Sequence, residues 1–132
     1  MIKWPKALIA EMAERRCIIF MGAGASAGCL SADGTMRPPD WDALLRDALQ
    51  LVRNDSDKKA AEDLIDKKAY LDAAQIIVDS SHTADFTTFL RNQFVTPNFR
   101  PSEIHKIVHE LDPKIVLTAN YDDIYERYCL QG

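Results

Sequence analysis

An α/β fold is what this sequence predicts: a parallel, doubly wound sheet carrying a helical insertion. Three observations predict it. Two short apolar runs, Cys17–Met21 and Ile115–Ala119, lie far apart in the chain; a glycine-rich loop follows the first directly; and helical periodicity fills nearly everything between them. A continuous apolar run suits a strand buried on both faces, as strands of parallel sheets are, and strands separated by helices imply parallel crossovers.

With 132 residues, 47% hydrophobic and 27% charged, the chain has the profile of one ordinary globular domain rather than a disordered or fibrous segment. Its net charge is -4 and its 16 basic residues are scattered, so direct nucleic-acid binding is not expected. Cys17, Cys29 and Cys129 include no CxxC pair, and the N-terminal stretch lacks the apolar core of a secretion signal. Free thiols, a cytoplasmic location and no metal are the expectations. No uninterrupted apolar run exceeds about five residues, against the ~20 needed to cross a bilayer, so no membrane span is expected.

The elements follow in order. Trp4, Leu8, Ile9 and Met12 recur at helical spacing, with Pro5 placed where a helix start tolerates it, so a short amphipathic helix within residues 4–16 comes first. Cys17–Met21, ending at Gly22, is the first strand, with Cys17 read as a small buried apolar residue. From Asp40, the positions Trp41, Leu44, Leu45, Ala48, Leu49 and Val52 predict a helix of about three turns. Helical stretches around Ala60–Ile65, Tyr70–Val78 and Phe86–Phe94 complete an insertion over about residues 40–96. Pro101 and Ser102 open a helix with Ile104, Ile107, Val108 and Leu111 on one face, which Pro113 stops. Ile115–Ala119 is the second strand, and a last helix begins within Asp122–Tyr128. Two such strands do not make a self-sufficient sheet, so one domain is expected to occupy residues 1–132 and to continue beyond Gly132.

The loop Gly22-Ala23-Gly24-Ala25-Ser26 sits between a strand and a possible helix start, where backbone amides can cradle a pyrophosphate; the same pair of glycines also suits a plain tight turn. A P-loop is excluded, because Gly22 and Gly28 are one residue too far apart and Cys29 and Leu30 follow where Lys and Ser or Thr are required. The dehydrogenase fingerprint misses too: Gly22, Gly24 and Gly28 contain one extra residue, and Asp40 and Asp42 open a helix rather than end a strand. Thr118-Ala119-Asn120-Tyr121-Asp122 lies at the C-terminal end of the second strand, the edge where open α/β sheets bind ligands. Asn120 and Asp122 suit a ribose, a water or a nicotinamide amide, and equally suit turning the chain and capping the next helix.

Together these two motifs resemble the sirtuin superfamily, in particular the sirtuin-like domains of bacterial antiphage-defence proteins. There a strand and GAGxS loop are followed by a G-x-P-x-W or similar segment, a helical insert and T-T/Q-N-Y/I-D. The matching residues are Gly22 to Ser26, Pro39-Asp40-Trp41, and Thr118 to Asp122, while Pro101-Ser102-Glu103-Ile104-His105 is similar to the family's P-N-x-x-H stretch. The resemblance covers most of the chain and implies the N-terminal part of a Rossmann-like, sirtuin-like domain. It implies NAD as substrate, held by Gly22, Ala23, Gly24, Ala25, Ser26, Trp41, Thr118, Asn120 and Asp122, with Asn120 as the catalytic residue that positions the attacking water or ribose. His105 is read as a packing residue. Ala119 stands where the family has Thr or Gln, no Arg follows Trp41, and the family's catalytic His lies further past the N-Y-D motif than residue 132.

The activity implied is NAD+ glycohydrolysis, giving nicotinamide and ADP-ribose or a cyclic product, in antiviral defence by NAD depletion. These 132 residues alone are expected to bind NAD weakly or hydrolyse it poorly. The alternatives are an NAD-dependent protein deacylase, an NAD or ADP-ribose sensor without turnover, and an oligomerisation platform. The expected partners are further copies in a homo-oligomer and a nucleic-acid-sensing protein such as a HerA-like ATPase or an Argonaute-like protein.

Overall fold

The computed structural model describes residues 3–131. Helix α1 (Lys6–Ala13) leads to strand β1 (Ile18–Met21), and a single 3-10 turn, Ala23–Ala25, follows Gly22. Four helices come next: α2 (Trp41–Ala48), α3 (Asp55–Asp66), α4 (Tyr70–Asp79) and α5 (Thr83–Phe94). Then α6 (Glu103–Glu110), strand β2 (Ile115–Thr118) and α7 (Ile124–Cys129) close the order.

Local chemistry sets the helix starts. The Asp40 carboxylate accepts the Ala43 amide at 2.9 Å and the Asn54 side-chain Oδ1 accepts the Asp57 amide at 2.7 Å, capping α2 and α3. Arg46 ties those helices together, donating to Asp42 at 2.7 Å and Asp66 at 2.8 Å. Leu44, Leu45, Ala48 and Leu49 form one core with Ile65, Ile77, Phe89 and Phe94. Ala61 and Ala73, both fully buried, let α3 and α4 approach closely.

The two strands pair in parallel, Ile18 opposite Ile115 and Met21 opposite Thr118. One face of this sheet is covered: Met21 packs with Ala25 and with Val108 of α6, and Ile19, Val116 and Tyr125 join them. The other face alternates out of register with it. There Ile18 is 60% exposed, Phe20 67%, Ile115 43% and Leu117 48%. Among the described residues only one face is packed, so of the two covered faces expected for these strands this stretch of chain supplies one.

Smaller corrections follow from local geometry. Cys17 precedes β1 and is half-buried rather than set in a buried strand. The chain leaves α1 after Ala13 and turns at Arg15 in a left-handed conformation, so the first helix is shorter than its periodicity suggested. Helix α2 gives way to a 3-10 turn at Leu49–Leu51, and α7 begins at Ile124, after Asp122.

The helical core makes a direct comparison possible. Ile77→Ala deletes packed atoms from a fully buried site and is expected to cost about 2–5 kcal/mol. Leu71→Ala on the same helix removes a side chain that is 77% exposed and should stay within about 0.5 kcal/mol. Urea unfolding of both variants checks the pair; equal losses would mean that α4 buries a different face.

Candidate functional site

Parallel pairing carries the C-terminal ends of β1 and β2 to the same edge. After Met21 the backbone runs extended through Gly22 and then winds into the 3-10 turn, with the Ala25 amide donating to the Gly22 carbonyl at 3.0 Å. The amides of Ala23 and Gly24 have no acceptor among the described residues. An added Cβ at Gly22 or Gly24 would meet nothing within 4 Å, and neither glycine has a positive φ. Packing inside the chain therefore does not demand glycine at either place; what glycine leaves there is open room beside the backbone.

Asn120 joins the two strand ends. Its Nδ2 donates to the Gly22 carbonyl at 3.2 Å and to the Ser26 hydroxyl at 3.3 Å. A carbonyl oxygen only accepts, so this contact fixes which end of the carboxamide is the nitrogen. The Asn120 Oδ1 faces no protein donor among the described residues. Thr118 sets the turn, its hydroxyl accepting the Asn120 amide at 3.0 Å, and buried Asp122 accepts the Ile124 amide at 3.3 Å.

A cleft of about 430 Å³ opens over this junction, within the ~300–1,000 Å³ range of small-molecule sites. Of the residues singled out from the sequence, Ala23, Gly24, Ser26, Trp41, Asn120 and Asp122 line it. Gly22, Ala25 and Thr118 stand just behind. Gly22 offers its carbonyl to Asn120, buried Ala25 accepts the Ser102 hydroxyl at 2.9 Å, and Thr118 bonds the Asn120 backbone. The opposite wall comes from the helical insertion and the segment before it. Tyr121 lies between Trp41 and Phe94, with ring centroids 6.5 Å and 5.7 Å away. Arg37, Phe94 and Tyr121 carried no site reading in the sequence. Tyr121 sits inside the quoted motif and Arg37 beside another, whereas Phe94 reads only as helix core until α5 is folded against the strand ends.

His105 lies elsewhere. It is fully buried on α6, its Nδ1 accepts the Ser102 amide at 3.2 Å and lies 2.8 Å from the Ser102 hydroxyl, and it completes a capping box. Burial pushes its pKa down, partly opposed by the charges of Asp122 and Glu126. Cys29 has no neighbouring histidine in sequence, but the fold brings its Sγ to 4.0 Å from His105 Nδ1. Burial also pushes the Cys29 thiol up, which keeps it protonated and disfavours a nucleophilic role. Among the described residues no histidine lines the cleft, and no group of three or more His, Cys, Asp or Glu side chains is arranged to hold a metal ion. No helix among them is long and apolar enough to cross a membrane. Comparison with protein-family models, with curated proteins and with solved structures finds no match to this chain.

The capping box generates a pH test. The folded pKa of His105 lies below the ordinary 6.5, so as pH falls the unfolded chain takes up this proton first. Its contribution to stability is full above pH 6.5, declines below it, and levels off under the lowered folded value. Gln at the same position can accept the Ser102 amide without titrating. His105→Gln is therefore expected to fold and to flatten the acid limb of stability between neutral pH and pH 5 or so, read by urea unfolding across that range. An unchanged acid limb would remove His105 as its source.

Proposed function

We propose that the chain forms part of a Rossmann-like, sirtuin-like domain that binds NAD+ and hydrolyses the bond between nicotinamide and ribose. The observation that carries this reading is the Asn120 bridge. Its carboxamide is held by the glycine loop through nitrogen, leaving Oδ1 to accept a hydrogen bond from a water or ribose hydroxyl at the cleft. Glycines with open space beside them and free amides at Ala23 and Gly24 suit a pyrophosphate in close approach. Trp41 and Tyr121 supply flat surfaces for a base or nicotinamide ring.

In the hydrolysis, the bond between ribose C1′ and the nicotinamide nitrogen breaks, its electron pair neutralises the pyridinium, and water bonds to C1′ and releases a proton to solvent. Asn120 orients that water, and the Asp122 carboxylate at the cleft lowers the energy of the cationic sugar that develops. The work fits a cytoplasmic module of bacterial antiphage defence that depletes NAD, acting as a homo-oligomer with a nucleic-acid-sensing partner. A second reading is an NAD or ADP-ribose sensor without turnover, favoured by the bonds that Asn120 and Asp122 already make inside the fold, Asn120 to Gly22 and Ser26 and Asp122 to the Ile124 amide.

Nicotinamide release by the full-length protein decides between them. Asn120→Ala is expected to lower turnover by about a hundredfold, the order that mispositioning of a reacting group costs, with a much smaller change in NAD affinity. NAD that binds and is never consumed would establish the sensor; NAD that does not bind would end both readings. Tyr121→Ala removes a stacking surface worth ~0.5–1.5 kcal/mol and should weaken NAD binding while sparing the rate from bound substrate. A rate loss at saturating NAD would instead place Tyr121 against the reacting sugar.

A further inference from the structure

Among the described residues lining the cleft, Arg37 is the one cationic side chain. Arg37 lines it together with the carboxylates of Asp40 and Asp122, and both acids have work inside the fold, Asp40 capping α2 and Asp122 accepting the Ile124 amide. Arg37 has none. The guanidinium groups of Arg15, Arg16, Arg46, Arg53, Arg100 and Arg127 each hold a protein acceptor. Among the described residues the Arg37 side chain holds no such acceptor; Arg91 shares that state but stands off the cleft. The backbone beneath Arg37 is stiff, because Pro38 and Pro39 follow and fix their own φ angles. A guanidinium left free on a stiff segment, in a cleft that otherwise carries two negative charges, is arranged to meet an anion.

We propose that Arg37 is the phosphate contact of this cleft, so that the site selects nucleotides carrying a pyrophosphate over the corresponding nucleosides. This rests on the nucleotide reading of the cleft and deepens it. The free amides of Ala23 and Gly24 lie on the loop side of the same cleft, so the phosphates sit between neutral backbone donors and one forked cation. Without Arg37, the two carboxylates would repel a dianionic ligand.

The test is equilibrium binding by the full-length protein and its Arg37→Gln and Arg37→Lys variants, using ADP-ribose, adenosine and inorganic pyrophosphate as probes. Arg37 is exposed, so neither variant should disturb folding, which thermal unfolding checks. Arg37→Gln is expected to weaken ADP-ribose and pyrophosphate about ten- to a hundredfold, the range for a hydrogen bond to a charged group, and to lessen the salt dependence of binding. Adenosine should be unaffected, and Arg37→Lys should keep part of the affinity. Equal losses for adenosine and ADP-ribose, or no loss for either phosphate, would overturn the assignment. Should the wild type bind pyrophosphate through Arg37 but neither NAD nor ADP-ribose, the NAD reading fails and the anion contact stands. Wild type that binds none of the probes removes both.

Discussion

Gly22 and Asn120 are 98 residues apart in sequence and joined by a hydrogen bond. That contact exists because two four-residue strands pair in parallel, Met21 opposite Thr118, so that both chains leave the sheet at the same edge. Antiparallel pairing would send them to opposite ends and separate the glycine loop from the Asn-Tyr-Asp turn. Everything else in the cleft is arranged around this meeting. Ser26 serves it as acceptor, Thr118 shapes the turn that delivers Asn120, and Ser102 reaches from the start of α6 to the Ala25 carbonyl, anchoring the loop from behind.

The helical insertion has a different physical character. Its core is self-contained, with Leu45, Ile65, Ile77 and Phe89 packed among its own helices, and it presents Phe94 and Trp41 to the strand ends as a finished wall. The sheet side has less packing, since Val108 and Tyr125 cover one face while Ile18 and Phe20 lie open on the other. Local openings should therefore begin at the sheet and its loops before the helices α3 and α4. The cleft lies where the two parts meet, with the glycine loop and the Asn-Tyr-Asp turn on one side and Trp41, Leu44 and Phe94 on the other.

Much of this was legible in the chain. The helices from Trp41 to Phe94 follow from apolar spacing, with Asp40 visible as the start of the first, and both strands stand out as apolar runs bounded by Gly22 and by Pro113. Half-covered strands were not legible, because an unbroken apolar run such as Ile18–Met21 reads the same whether one face or both are packed. Contacts across long separations were hidden for a related reason. Cys29 beside His105, and Phe94 beside Tyr121, join residues whose own neighbours point to a buried thiol and a helix core. Motif reading singled out Asn120 and the glycines, which the fold brings together; it did not single out Arg37, whose lack of a protein acceptor shows only once the other side chains are placed.

The chemistry of the two strand ends is complementary in sign. The loop after β1 brings donors, the amides of Ala23 and Gly24, with Arg37 facing the same space; the turn after β2 brings acceptors, Asn120 Oδ1 and the Asp122 carboxylate. Under the proposed reading, a ligand that matches both sides carries an anionic group toward the donors and hydroxyls, or a developing positive charge, toward the acceptors. NAD has that polarity, with a pyrophosphate in the middle and a ribose that turns cationic as nicotinamide departs. A simple nucleoside lacks the anionic group, and ADP-ribose lacks the developing charge. On this argument a cleft of this polarity should hold the dinucleotide by its phosphates and stabilise positive charge at the far ribose, which is the division of labour that N-glycosidic cleavage requires.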